Sequence, residues 1–300
     1  MKRFLIQIIA LFTIVAIVDI TSGMVFKYMQ ANPKGGATYR DKYICNEAEC
    51  DILMVGSSRC EHHYNPILFE ETFGKSCFNA GQSGNGIIVA YARYLMACER
   101  KKPELVVYDI NPDFDLLASF DNHRYLTWLR SYYDKEYVRD IFETIDPMEK
   151  YKMMSMMYRY NSRFVEILVD FIYPSFNNSN HGFAPLEGEM DKSKIDPKEL
   201  ILDQGPYAYD PVKLSYIEKF MDATGGNLVI VISPRWYGLD TSSFKPLVEL
   251  CMNKNIKLID YSNNPKYVHN DIYFKDGTHL NARGANEFTK DLINNLIDLK

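Results

Sequence analysis

Five short apolar runs, each ending in or running into a turn or polar residue, constrain this chain more than any other feature. They are Asp51–Val55, Ser76–Ala80, Leu105–Ile110, Leu228–Ser233 and Lys257–Asp260. Stretches with helical spacing lie among them, at Ile87–Glu99, Tyr209–Ala223, Phe244–Asn253 and Gly284–Ile297. Strands alternating with helices call for a parallel sheet covered on both faces, because a parallel crossover needs a helix-length connection that packs back on the sheet. The expected fold is therefore α/β, a three-layer α/β/α domain with a five-stranded, mostly parallel sheet. Three hundred residues, 47% hydrophobic and 24% charged, suffice to give such a domain a full core. A net charge of −5 with scattered lysines and arginines supplies no electrostatic footprint for nucleic acid. No repeat or low-complexity tract interrupts the pattern.

The first run stops at Gly56 and presents Ser57, Ser58 and Arg59. A serine there stands at the carboxyl edge of a sheet, where open α/β folds place their chemistry. Gly-Ser-Ser is also ordinary turn composition. Far along the chain lies Asp276-Gly-Thr-His279-Leu-Asn281, just ahead of the last helix. A serine hydroxyl becomes a useful nucleophile only when a base takes its proton, and the base needs an orienting carboxylate on its other nitrogen. Asp276 and His279 can supply both. The same residues also read as a cap region, in which Asp276 or Asn281 caps the following helix and His279 is a surface residue.

The pattern resembles the SGNH (GDSL-like) hydrolase superfamily, which has an early Gly-Asp-Ser block and a late Asp-x-x-His block. Gly56-Ser57-Ser58 matches the first block, with serine where the family usually has aspartate. Asn79-Ala-Gly-Gln-Ser-Gly84-Asn85 matches the second, and Asp276 to His279 the last. The third falls at Asn111-Pro-Asp113, where the family's Gly-x-Asn-Asp is absent. The resemblance covers roughly Asp51 to the C-terminus. It implies a catalytic triad of Ser58, Asp276 and His279. It implies an oxyanion hole from the amides of Ser58 and Gly84 with the side chain of Asn111; a gapless alignment puts Asp113 at that place, and an aspartate there could donate only if protonated. The chemistry implied is acyl transfer through an acyl-serine, with water or a sugar hydroxyl as acceptor and no metal or organic cofactor. Membrane-anchored relatives act on acyl groups of cell-envelope polysaccharides, so the implied substrate is an O-acetylated envelope glycan. The imperfect third block also fits a carbohydrate-binding or assembly protein of the envelope with little catalysis.

The N-terminus carries a different message. Met1-Lys2-Arg3 precedes Phe4 to Ile20, a run interrupted only by Gln7, Thr13 and Asp19. Extended to Phe26 it reaches the length that spans a bilayer, and being apolar all round it does not read as a buried soluble helix. Residues 1–26 are thus expected to be an uncleaved signal anchor in the cytoplasmic membrane, holding the domain outside it; secretion after signal cleavage is the alternative. Residues 27–50 read as a polar tether. Export permits a disulfide, and Cys45 with Cys50 is the nearest pair among six cysteines. No cysteine–histidine spacing points to zinc.

Between about residues 114 and 206 the strand–helix rhythm breaks into a helical insertion rich in aromatics and methionine, expected beside the serine as a lid or wall of the cleft. Tyr125 and Trp128 suit stacking on sugar rings, although a packed helix interior explains them equally well. Arg59 and His62, just after the serine, are further candidates for substrate contact. His62 and His63 are rivals of His279 as base. Asp109 reads either as a structural carboxylate or as a partner of the site.

Overall fold

A computed structural model describes residues 1–174, 180–191, 193 and 205–297. In chain order the helices and strands begin with α1 (Lys2–Ala31) and α2 (Gly36–Asn46). Then come β1 (Ile52–Gly56), α3 (Ser58–His63), α4 (Pro66–Phe73), β2 (Cys77–Asn79), α5 (Ile87–Cys98), β3 (Leu105–Asp109) and α6 (Pro112–Asp115). The insertion holds α7 (His123–Leu129), α8 (Glu136–Ile145), α9 (Glu149–Lys152) and α10 (Phe164–Ile172). The chain closes with α11 (Pro211–Thr224), β4 (Leu228–Ile232), α12 (Lys245–Lys254), β5 (Lys257–Asp260) and α13 (Ala282–Ile297).

The chain divides into two compact units. The larger contains residues 44–121 and 178–300. Its five strands pair in parallel throughout, in the order β2-β1-β3-β4-β5. β1, β2 and β4 are short and buried throughout, as strands covered on both faces must be. One face carries α13, whose Ala285, Phe288 and Leu292 join Met54, Val107 and Val231 in a common core. On the other face Phe220 of α11 meets Tyr94 of α5 and Tyr108 of β3 edge to face, at 5.3 and 5.5 Å between ring centres. The result is the expected three-layer α/β/α arrangement. This strand order reverses direction between β1 and β3, and the crevice at the carboxyl ends of those two strands is where such sheets bind ligands.

The smaller unit contains residues 1–43 and 122–177, so much of the insertion packs with the N-terminal helix. Phe26 of α1 lies 6.0 Å from Tyr160 and 6.4 Å from Phe164, and Arg163 pairs with Asp41 at 3.0 Å. The stretch expected as a tether holds the regular helix α2; Gly36 fits there because a Cβ would strike the Asp170 carboxylate. The part of the insertion at residues 175–179, 192 and 194–204 lies outside the described residues.

Candidate active site

Ser58 opens α3 directly after β1, and the turn that places it requires glycine at position 56. Gly56 has φ of +151°, and a Cβ there would come within 2.6 Å of the Asp109 carbonyl oxygen and 2.8 Å of the Cys60 Cβ. Because Ser58 is the first residue of its helix, its N–H has no intrahelical acceptor. Its half-buried hydroxyl lies 2.8 Å from Nε2 of His279.

His279 sits on the turn ahead of α13. Its Nδ1 is 3.0 Å from both oxygens of Asp276. A carboxylate only accepts, so Nδ1 carries the proton and Nε2 turns its lone pair to the serine. Asp276 also accepts the amides of Thr278 and His279, at 2.9 and 2.8 Å. Partial burial alone would raise its carboxyl, but the hydrogen bond to His279, the histidine charge and these amides hold it below the ordinary carboxylate range. Asn281, the other cap candidate, accepts the Gly284 amide at 2.9 Å and so caps α13. Both the site and the cap readings of this stretch thus describe real contacts, on different residues.

His63 holds this turn from behind. Its Nε2 accepts the Leu280 amide at 3.0 Å, so its other nitrogen donates to the Ser233 hydroxyl at 3.2 Å. Burial, and after it the neighbouring His279 and Arg59 charges, lower its affinity for a proton far below the ordinary histidine value. A neutral ring with both nitrogens engaged has no free lone pair with which to act as a base. His62 donates from Nδ1 to the Ala184 carbonyl at 2.6 Å and stands edge-on to His279, 5.5 Å between ring centres.

Asn111 follows β3 and caps α6. Its Oδ1 accepts both the Asp113 amide at 3.2 Å and the Arg235 guanidinium at 2.9 Å. Two donors on one atom identify it as the oxygen, which makes the other end of the amide an NH2. Of the two alternatives for the third oxyanion donor, Asn111 therefore has donor chemistry. Asp113 is half-exposed, with its carboxylate 3.7 Å from Arg235. Asp115 fixes the loops on either side, accepting the Asn111 amide at 2.6 Å and the Ile87 amide at 2.7 Å. Burial pushes its carboxyl up to about 7, against those hydrogen bonds and the Lys213 charge.

Gly84 lies in the loop between β2 and α5 with φ of +72°, a conformation that favours glycine. The preceding residue ties that loop to α3: Ser83 donates its amide and hydroxyl to Glu61 at 2.9 and 2.7 Å. Asn79, deeper in the same block, donates to the Cys60 and Tyr64 carbonyls at 2.7 and 2.9 Å.

Three residues expected to touch substrate are engaged elsewhere. Arg59 is 1% exposed; its guanidinium donates to the Ser233 and Ile110 carbonyls and pairs with Asp109 at 3.6 Å. It is a buried clamp on the ends of β3 and β4, and Asp109 is correspondingly structural, also accepting Tyr64 and the Ser233 amide. Tyr125 is fully buried, and Trp128 is half-buried beneath the Arg163 guanidinium at 4.3 Å. Both belong to the smaller unit, whereas Ser58 belongs to the larger.

All six cysteines, Cys45 and Cys50 included, are free thiols. Burial pushes the Cys50 thiol up to about 12 and Cys251 up to about 11, which removes them as nucleophiles. In the smaller unit His123, Asp146 and Glu149 offer ligand atoms within 4.8 Å of one another. Glu149 is already occupied by the Tyr158 hydroxyl at 3.2 Å and the ammonium of Lys152 at 2.5 Å, a cationic setting that does not suit a metal ion.

Sequence reasoning missed Arg235, Asp115 and Ser233. The first and last follow β4, at the same carboxyl edge of the sheet, so the placement rule for open sheets was an available signal. No protein-family model and no curated protein matches the chain.

Proposed function

We propose that this chain is a membrane-anchored serine ester hydrolase or O-acyltransferase of the SGNH (GDSL-like) type, acting on O-acetyl esters of a cell-envelope glycan. The single observation that carries the reading is the relay of Asp276, His279 and Ser58, with 3.0 Å and 2.8 Å between successive members. It stands at the reversal of strand order, between β1 and β3.

In the first half-reaction Ser58 Oγ attacks the ester carbonyl carbon as its proton passes to His279 Nε2. Asp276 keeps the imidazolium oriented and balances its charge. The negative carbonyl oxygen is received by the Ser58 amide and the Asn111 NH2, with the Gly84 loop as the third side. The bond to the alcohol oxygen then breaks, and His279 returns its proton to that oxygen, leaving acyl-Ser58. In the second half His279 takes a proton from water or a sugar hydroxyl, whose oxygen attacks the acyl carbon; the bond to Ser58 Oγ then breaks as His279 returns the proton to Oγ, releasing the acid or the new ester. Arg235 acts through Asn111: a cation on the amide oxygen draws density from the NH2 and strengthens it as a donor.

The choice of an envelope glycan rests on the family resemblance and on the N-terminal helix. That helix, Lys2–Ala31, is long and apolar enough to span a membrane. With Lys2 and Arg3 on the cytoplasmic side, a single pass leaves the ester site facing outward.

Turnover of a small acetate ester such as p-nitrophenyl acetate by the full-length protein tests the proposal. The wild type should release acetate, while Ser58→Ala and His279→Ala should each fall to the solvent background. Equal rates in all three would sink the enzymatic reading and favour the glycan-binding one.

A further inference from the structure

The smaller unit has an apolar surface that the enzymatic reading does not use, and its position along α1 indicates what covers it. At about 1.5 Å per residue, a hydrocarbon core of about 30 Å takes up some twenty residues of helix, from Phe4 to about Met24. Asp19 then lies inside the apolar layer, where a charged group must be satisfied by protein. It is so satisfied: the Asp19 carboxylate accepts the amides of Met156 and Met157, at 2.8 and 3.2 Å. At Gly23 the backbone comes so near that a Cβ would meet Met156 Cβ at 2.4 Å. The turn at residues 155–157 is therefore carried by α1 at membrane depth, and beside it Met154 and Tyr151 are 79% and 58% exposed.

Helix α10 packs a little further along. Phe164, near its start, meets Phe26, while Phe171, near its end, meets Tyr28 at 6.0 Å. Seven residues of α10, about 10 Å, thus correspond to two residues of α1, about 3 Å, so α10 runs across α1 rather than along it. A helix crossing a membrane span just beyond the hydrocarbon core lies in the plane of the interface. Its Ile167 and Asp170 point inward, whereas Val165, Leu168, Val169 and Ile172 form one exposed stripe at helical spacing. Water-soluble surfaces seldom leave such a stripe open.

We propose that α10 and the adjoining tip at Tyr151 and Met154 form a second membrane contact, an in-plane amphipathic element whose apolar face enters the bilayer leaflet at the C-terminal end of α1. Lipid acyl chains are the occupant, since the stripe lies on a helix packed directly against the one that spans them. The inference rests on α1 being the span.

The test uses the full chain in phosphatidylcholine nanodiscs, with and without brominated acyl chains, in a Trp128→Phe, Trp236→Phe background. Single tryptophans are introduced by Val15→Trp within α1, Met154→Trp, Leu168→Trp, and Met252→Trp on an exposed face of α12. Bromolipid should quench the tryptophans at 15, 154 and 168 and leave the one at 252 unchanged. Quenching at 15 alone would overturn the proposal while leaving the span intact. Absence of quenching at 15 would overturn both. Tryptophans at 154 and 168 that are shielded from aqueous acrylamide yet unquenched by bromolipid would assign the face to a protein partner, and would also overturn it.

Discussion

Asp276, His279 and Ser58 form a hydrogen-bonded series that side chains from elsewhere in the chain hold in place. Their supports were not readable, because their contacts are distant in sequence. Arg59 reaches the carbonyl of Ser233, and His63 the amide of Leu280. Nothing local to Arg59 distinguishes a guanidinium that meets substrate from one that ties strand ends together; burial decides it. The same holds for Asn111, whose neighbour Asp113 competes for the donor role on alignment alone. Arg235 occupies the amide oxygen and so leaves the NH2 as the donating end of Asn111. Asn111→Ala should therefore lower kcat by about 10²–10³-fold with a smaller change in KM, as for loss of one oxyanion donor. Steady-state kinetics on the acetate ester checks this, and an unchanged kcat would move the donor elsewhere.

At the scale of elements, apolar runs bounded by turn residues located all five strands to within a residue or so, and in β1 and β4, buried throughout, no polar alternation blurs the signal. The helix after the histidine was legible for the complementary reason, a regular apolar stripe ending at Ile297. The stretch read as a tether was not. Its helix α2 is polar overall, and contacts such as Asp41 with Arg163 have no sequence signature. Asp115 shows how elements are coupled, since one buried carboxylate holds both the start of α5 and the loop before α6. Its proton affinity is raised by burial from the ordinary 3.8 to about 7. Its contribution to stability is thus fully present below about pH 3.8 and lost as pH rises through 7. Asp276, held low, acts oppositely: its contribution is present above its ordinary value and lost in acid. Denaturant unfolding of wild type and Asp115→Asn across pH 4 to 7 should show the wild type losing stability relative to the variant, by at most about 1.4 kcal/mol per pH unit. Parallel curves would contradict the assignment.

The whole molecule combines a helix long and apolar enough to span a membrane, the smaller helical unit that contains it, and an α/β unit that carries Ser58, His279 and Asp276. Residues packed against α1 argue that it is kept, because cleavage after Gly23 would remove Asp19 from the 155–157 turn. Intact mass of the protein extracted from membranes should therefore include residues 1–31, and a mature N-terminus near residue 24 would contradict an anchor. The central claim is that Ser58 is a nucleophile activated by His279 and Asp276. Its most direct test is to treat the full-length protein with a serine-reactive phosphonate and locate the adduct by peptide mass. The account predicts one adduct, on the peptide carrying Ser58, absent from Ser58→Ala and strongly reduced in His279→Ala. A folded protein that takes up no phosphonate at Ser58, or takes it up equally without His279, would contradict the account.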